Sequence, residues 1–282
     1  KNGIVGIFPE GQISPTGVIL DYNPAIVKLV KKAKVPVYAA RHHGAYLTNP
    51  PWNKKSFKGK IESFVELILS KEDIMNLPDD DISEKINLKL RFNTHEYNEL
   101  KQMKVKLNDV TNLESVIYHC PNCGSDNLNS TKTSLICPDC NSEFVYDAYG
   151  KIGGYRLDLL YREQERLIAK KFEDDPDYAM VSEVKLESYR GNRVKEVGFG
   201  TLTLDLEGYT FVGEVDGEKA KYHFSPQNIA SLPSDLGINV QIYENYIIYQ
   251  FVFSDRRIPS QFVIAGEYIY KVFHRKTSKN TQ

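Results

Sequence analysis

The sequence predicts a multidomain α+β protein, and three patterns carry that expectation. Short apolar runs with a helix-spaced segment between them open the chain. Two Cys-x2-Cys pairs sit near its middle, and period-two runs broken by glycines fill its last third. At 282 residues the chain can build more than one core. The expected division is residues 1–115 as part of an α/β domain, 116–150 as a cysteine-bearing ribbon, 151–190 as a helical linker, and 191–282 as a mostly-β domain closed by a terminal helix.

In order, Ile4, Val5, Ile7 and Phe8 form an apolar run typical of a buried parallel strand, and Pro9, Gly11, Pro15 and Gly17 break it. Residues 24–34 carry helical spacing through Ile26, Val27 and Val30, with lysines in the last turn where the helix dipole favours them. Residues 35–40 read as a second buried strand. Strand, helix, strand within this length is a βαβ unit, which requires a parallel sheet. Residues 57–70 alternate in part and suit a strand. Residues 73–107 read as helical, with Pro78 and Asp79, Asp80 and Asp81 at a helix start. Residues 155–172 place Leu157, Leu160, Tyr161, Leu167, Ile168 and Phe172 on one helical face. From about Val194 the pattern becomes β, with Gly200, Gly208, Gly213 and Gly217 as turn signals. Residues 260–273 carry a helical stripe of Phe262, Ala265, Ile269, Val272 and Phe273.

Composition is that of a soluble globular chain, 41% hydrophobic and 26% charged. No apolar run is long enough to span a bilayer, and the start lacks the apolar core of a signal peptide. The chain opens on a strand-like run without Met, which reads as a piece of a longer protein. Net charge is −1, yet the first 60 residues hold ten Lys or Arg against Glu10 and Asp21 alone. A basic segment beside an acidic remainder suits either an anionic partner (phosphate, lipid head group or nucleic acid) or a solvated surface. Trp52 among Lys54, Lys55, Phe57, Lys58 and Lys60 suits either an interfacial anchor on anionic lipid or a surface loop with a tucked Trp.

The four cysteines, Cys120, Cys123, Cys137 and Cys140, form two Cys-x2-Cys pairs thirteen residues apart, leaving none for a disulfide elsewhere. Two such knuckles supply the four soft ligands of a tetrahedral structural zinc ion, with Pro121 and Gly124 shaping the first and Pro138 and Asn141 the second. A four-cysteine iron centre is the minor alternative. His119 adjoins Cys120, but four thiolates already complete the shell. Between the pairs stand one Lys, Lys132, and one Asp, Asp126, with no Arg and no aromatic. Nucleic-acid binding wants both, so the ribbon reads as a structural insert and nucleic acid is not an expected partner.

Phe8-Pro9-Glu10-Gly11 ends the first run, where α/β domains bind ligands, and these four residues alone suit an ordinary strand-to-loop turn as well as a site. Followed after a helix by Val35-Pro36-Val37, it resembles the third and fourth sequence blocks of the glycerolipid acyltransferases, which include the 1-acylglycerol-3-phosphate (lysophosphatidate) acyltransferases. Gly44-Ala45-Tyr46-Leu47 and Pro50 to Lys55 resemble bacterial members that carry a zinc ribbon and a further C-terminal domain. The resemblance is sharp at residues 8–11, 35–37 and the cysteines, and loose elsewhere.

That resemblance implies a partial α/β acyltransferase domain, a zinc ribbon and a third part of pleckstrin-homology-like shape. It implies transfer of a fatty acyl group from acyl-CoA or acyl carrier protein to lysophosphatidate, at the inner, cytoplasmic face of the cell membrane as a peripheral enzyme. Phe8, Pro9, Glu10 and Gly11 are the expected acceptor-side residues. The family's chemistry rests on a His-x-x-x-x-Asp pair, with His as general base. None of the six His here has Asp five residues later, so no catalytic residue is expected in this chain, and the chain by itself is expected to be inactive. Gln12 and Ile13 replace the usual Thr and Arg of the third block, while Ser14 keeps its place. The competing reading is a non-enzymatic zinc-ribbon adaptor that binds protein or nucleic acid.

Overall fold

The computed structural model describes residues 3–22, 24–106, 109–190, 193–230 and 232–279. They form a mixed α+β chain of two compact units, one of residues 1–109 and 145–158, the other of residues 110–144 and 159–282.

The first unit starts without a strand. Residues 3–8 make no sheet pairing, and Ile4 and Phe8 are almost wholly exposed. Helix α1 (Ala25–Ala33) buries Val27 and Val30 and ends with Lys34 in the left-handed region. Strand β1 (Val37–His43) leads through the short α2 (Ala45–Thr48) to β2 (Glu62–Leu69), which pairs with β1 antiparallel from Val37↔Leu69 to His43↔Glu62. The parallel βαβ unit expected from residues 4–40 is therefore not formed. A parallel strand is stable only when covered on both faces, and nothing covers Ile4–Phe8.

The segment expected to be one helical stretch breaks into α3 (Lys71–Asn76), α4 (Asp79–Leu90) and α5 (Thr94–Lys101). The breaks are local chemistry. Ser70 and Asp73 close a reciprocal capping box on α3, at 3.0 and 2.8 Å. Pro78 cannot continue α3 and starts α4, whose first turn holds Asp79, Asp80 and Asp81. Asn93 caps α5 by accepting the His95 and Glu96 amides. One core of Val27, Val30, Ala39, Ile68, Leu69, Ile74, Ile82 and Ile86 holds α1, α3 and α4 against the two strands.

The cysteine segment forms a three-stranded sheet of β3 (Asn129–Ser130), β4 (Ser134–Ile136) and β5 (Glu143–Val145), followed by the small hairpin β6 (Lys151–Ile152) and β7 (Tyr155–Arg156) and the helix α6 (Leu157–Asp174). The remainder is a seven-stranded antiparallel sheet of β8 (Met180–Arg190), β9 (Arg193–Asp205), β10 (Gly208–Val215), β11 (Glu218–Phe224), β12 (Ser234–Asp235), β13 (Asn239–Glu244) and β14 (Ile247–Val252). Its spatial order is β11-β10-β9-β8-β14-β13-β12. Helix α7 (Ile258–Lys279) packs Phe262, Ala265 and Ile269 onto it, over a core that includes Leu202, Leu204, Tyr209, Phe211 and Phe251.

Two expectations change here. Residues 180–190, placed in a helical linker, are a full strand pairing along its length with β9. Gly200 and Gly213 are not turns: they face each other across β9 and β10. The buried ring of Phe211 lies over both, and a side chain at either would run into the neighbouring backbone.

Candidate metal centre

The four cysteines come together. Their sulfurs all lie within 4.8 Å of one another, Cys120 Sγ 3.7 Å from Cys140 Sγ and Cys123 Sγ 3.6 Å from Cys137 Sγ. A tetrahedral ion with Zn–S bonds of about 2.3 Å needs S···S edges of about 3.8 Å, close to these separations. A disulfide needs sulfurs about 2 Å apart, so these are free thiols arranged as a ligand set.

Each knuckle is built in the same way. The Cys120 amide donates to Ser125 O at 2.7 Å, and the Cys137 amide donates to Ser142 O at 2.9 Å. The residue after each second cysteine, Gly124 or Asn141, takes the left-handed conformation that turns the chain back, at φ 79° and 58°. Glycine and asparagine reach that region most readily.

The donor set fits a cation. Hydrogen bonds from Ser142, hydroxyl and amide, and from Asn122 pull Cys140 down to about 6. The Ser125 amide favours the Cys123 thiolate too, yet burial and the three neighbouring sulfurs push it up to about 12, and burial raises Cys120. Four thiols this close cannot all ionise unaided, and a divalent ion at their centre removes the conflict. Asn122 Nδ2, 3.6 Å from Cys140 Sγ and 2.9 Å from Ser142 Oγ, ties the first knuckle to the second. The sequence reading did not single out Asn122 or Ser142; their only signal was a polar residue inside or beside a Cys-x2-Cys pair.

His119 stays out of the shell. Its Nδ1 meets Asp126 Oδ1 at 2.7 Å, and Asp126 also faces Lys171 of α6 at 3.4 Å. Burial acts against the Asp126 charge, but these two partners hold its carboxyl below the usual range. Gln164 of α6 anchors the entry to the first knuckle: Oε1 accepts the Tyr118 and His119 amides at 2.9 and 3.1 Å, and Nε2 donates to Val116 O at 2.9 Å. A cavity of about 230 Å³ lies beside this anchor, lined in part by Tyr118, His119, Asp126 and Lys171.

Phe8, Pro9, Glu10 and Gly11 form a turn in the first unit, closed by the Gly11 amide donating to Phe8 O at 3.1 Å, with Gly11 at φ 68°. Glu10 folds back and accepts the Leu20 amide at 2.7 Å. Burial raises its pKa, and that hydrogen bond partly offsets the rise. Ser14 Oγ accepts the Gly17 amide at 3.0 Å. Trp52 is no interfacial anchor: it is 3% exposed, and its Nε1 donates to Tyr46 Oη at 3.1 Å. The surrounding lysines do not expose it because Tyr46 and the ring of Tyr146, 6.1 Å away, enclose the indole. Lys55 turns instead to Asp109 at 2.5 Å.

Scans against protein-family models, curated proteins and solved structures find no match to this chain. Four close cysteines able to bind a metal such as zinc are what the geometry itself establishes. Among the described residues, no helix is long and apolar enough to cross a membrane.

Proposed function

We propose that this chain belongs to a phospholipid-synthesising acyltransferase of the lysophosphatidate type and carries acceptor-side residues of it, with a structural zinc ion held by Cys120, Cys123, Cys137 and Cys140. The observation that carries the reading is the turn at Phe8-Pro9-Glu10-Gly11. It presents a half-buried carboxylate fixed by the Leu20 amide, beside a glycine whose left-handed backbone leaves open space around it.

In this reading Glu10 and Gly11 border the site of an acyl acceptor, and the acyl donor is acyl-CoA or acyl carrier protein. The chain's own residues position and do not perform the proton transfer, because no His here is followed at the right spacing by Asp. A zinc ion held by these four cysteines would supply folding energy and not chemistry, because four sulfur ligands would leave no position open for a substrate.

The test is acyl transfer by the complete reading frame that contains this chain, with lysophosphatidate and acyl-CoA or acyl carrier protein. Turnover is expected, and Glu10→Gln should lower kcat/KM at least tenfold while leaving the fold intact by circular dichroism. No transfer to any lysophospholipid from the complete protein would sink the reading and leave the zinc-ribbon adaptor in its place.

A further inference from the structure

Two segments of the first unit run side by side and set lysines against each other. An antiparallel bridge pairs Lys58 with Lys106, and the Lys106 amide donates to Lys58 O at 3.1 Å. Three residues along each segment, the same register sets Lys55 against Asp109, with Nζ 2.5 Å from Oδ2. In the other direction it carries Lys60 alongside Lys104. The Lys60 carbonyl and the Met103 side chain both pack against Gly44, which holds these two stretches together. Side chains alternate along such a pair. Val105 is buried, and a side chain at Gly59 would run into Val105 and Thr48, so these two positions face inward. Lys58, Lys60, Lys104 and Lys106 therefore leave on the outward side, and all four are exposed.

The chain itself supplies little charge to answer them. Lys60 Nζ meets Glu62 at 2.6 Å, and Lys104 Nζ lies 5.5 Å over the Tyr149 ring. Among the described residues, Lys58 and Lys106 have no side-chain partner. The other carboxylates near these segments are engaged elsewhere. Asp109 is held by Lys55, Asp147 accepts the Tyr149 and Lys151 amides of its own loop, and Glu99 is held by Lys151 and Arg156. Like charges directly opposite each other destabilise a β pair. The Lys55–Asp109 pair shows that the same register accommodates an acid. A neutral or acidic residue at 58 or 106 would remove the conflict without touching the core, because both side chains point to solvent. Folding of this unit therefore does not account for the lysines.

From this geometry we infer that Lys58, Lys60, Lys104 and Lys106 form a binding site for a multiply charged phosphate group, a phosphate monoester or a diphosphate. Residues opposite each other stand about 5 Å apart and residues two apart along a segment about 7 Å, so the four flexible ammonium groups converge on one compact anion. A single carboxylate brings one charge and leaves the rest of the cluster unanswered. A phosphate monoester brings about two charges and three acceptor oxygens, and lysine binds it as a point charge. A macromolecular partner needs a face of about 800 Å², with apolar anchors that these four positions lack. The site uses none of residues 8–11 and does not rest on the acyl-transfer reading. A soluble organophosphate and a lipid head group both present this chemistry.

The full 282-residue chain, labelled with nitrogen-15, is titrated with inorganic pyrophosphate at constant ionic strength and followed by amide NMR. Saturable shifts centred on residues 58–60 and 104–106 are expected. In the same assay sn-glycerol 3-phosphate should bind more tightly than glutarate, a dicarboxylate of similar charge. Lys58→Gln with Lys106→Gln removes the like-charge pair, so its melting temperature should equal or exceed that of the unaltered chain, while pyrophosphate affinity falls at least tenfold. Lys28→Gln with Lys32→Gln, which removes two exposed lysines of α1, should leave that affinity unchanged. Displacement of pyrophosphate by phosphatidate vesicles would identify a lipid head group as the source, and displacement by sn-glycerol 3-phosphate alone a soluble ester; the site stands in either case. Absence of saturable shifts in the unaltered chain would overturn the inference. So would glutarate binding as tight as that of the phosphate ester, or an equal loss in the α1 variant, since either would reduce the effect to general charge. The assay needs no turnover, so it is decided apart from the acyl-transfer test.

Discussion

His43 is a buried imidazole whose two ring nitrogens have no hydrogen-bond partner. Phe64, Phe92 and Tyr97 pack around it at centroid distances of 4.9, 4.5 and 4.0 Å. Burial lowers its pKa first; Arg41 and Lys101 push the same way and Glu62 opposes them. The unfolded chain therefore takes up this proton near pH 6.5, while the folded chain resists it. Stability from His43 is complete above that pH and falls as pH drops below about 6.5, by at most about 1.4 kcal/mol per pH unit. His43→Phe keeps the aromatic packing and removes the titration. Its stability relative to the unaltered chain should therefore rise as pH falls from 7.5 to 5.5, as read by urea unfolding. A constant difference across that range would contradict a neutral, buried imidazole.

At the scale of the element, the glycines of β9 and β10 make the clearest case. Period-two patterning identifies the strands, but a mid-strand glycine and a turn glycine look alike in a sequence. Only the register, which sets Gly200 against Gly213 beneath Phe211, tells them apart. Gly213→Ala should cost about 1–3 kcal/mol through overpacking, whereas Gly217→Asn, at an open turn with φ 85°, should cost less than about 1 kcal/mol. Equal losses in denaturant midpoint would argue against this account. Helix starts were more legible, since capping is local: Pro78 with its three aspartates could be read directly. The Ser70–Asp73 capping box is as local, its two residues three apart in sequence, and Ser70→Ala should destabilise α3 by about 1 kcal/mol in thermal unfolding.

For the whole molecule, the cysteine knuckles belong to the same compact unit as the large sheet. Tyr118, two residues before Cys120, lies in the core of that sheet, and Gln164 ties the same segment to α6. Metal binding should thus stabilise more than its own loops. The chain should hold one zinc ion, and Co(II) in its place should give the absorption of tetrahedral thiolate ligation. Chelation, or Cys137→Ser, should remove hydrogen-exchange protection from residues 118–144 and lower it in α6, while β1 and β2 keep theirs. Protection unchanged throughout after the metal is removed would show that the thiols need no ion to hold the fold. Acid should release the metal, because protons compete for the thiolates.

The sequence by itself determined what depends on near neighbours: the cysteine ligand set, the periodic helices α1, α6 and α7, the helix start at Pro78 and the β character of the last third. Spacing and capping act within a few residues, so they survive in a linear reading. Tertiary structure alone decided which strands pair and in which direction. It gave Ile4–Phe8 no partner, joined β1 and β2 antiparallel, enclosed Trp52, and set Lys58 opposite Lys106. Those outcomes depend on which faces find cover, and cover comes from residues far away in the chain.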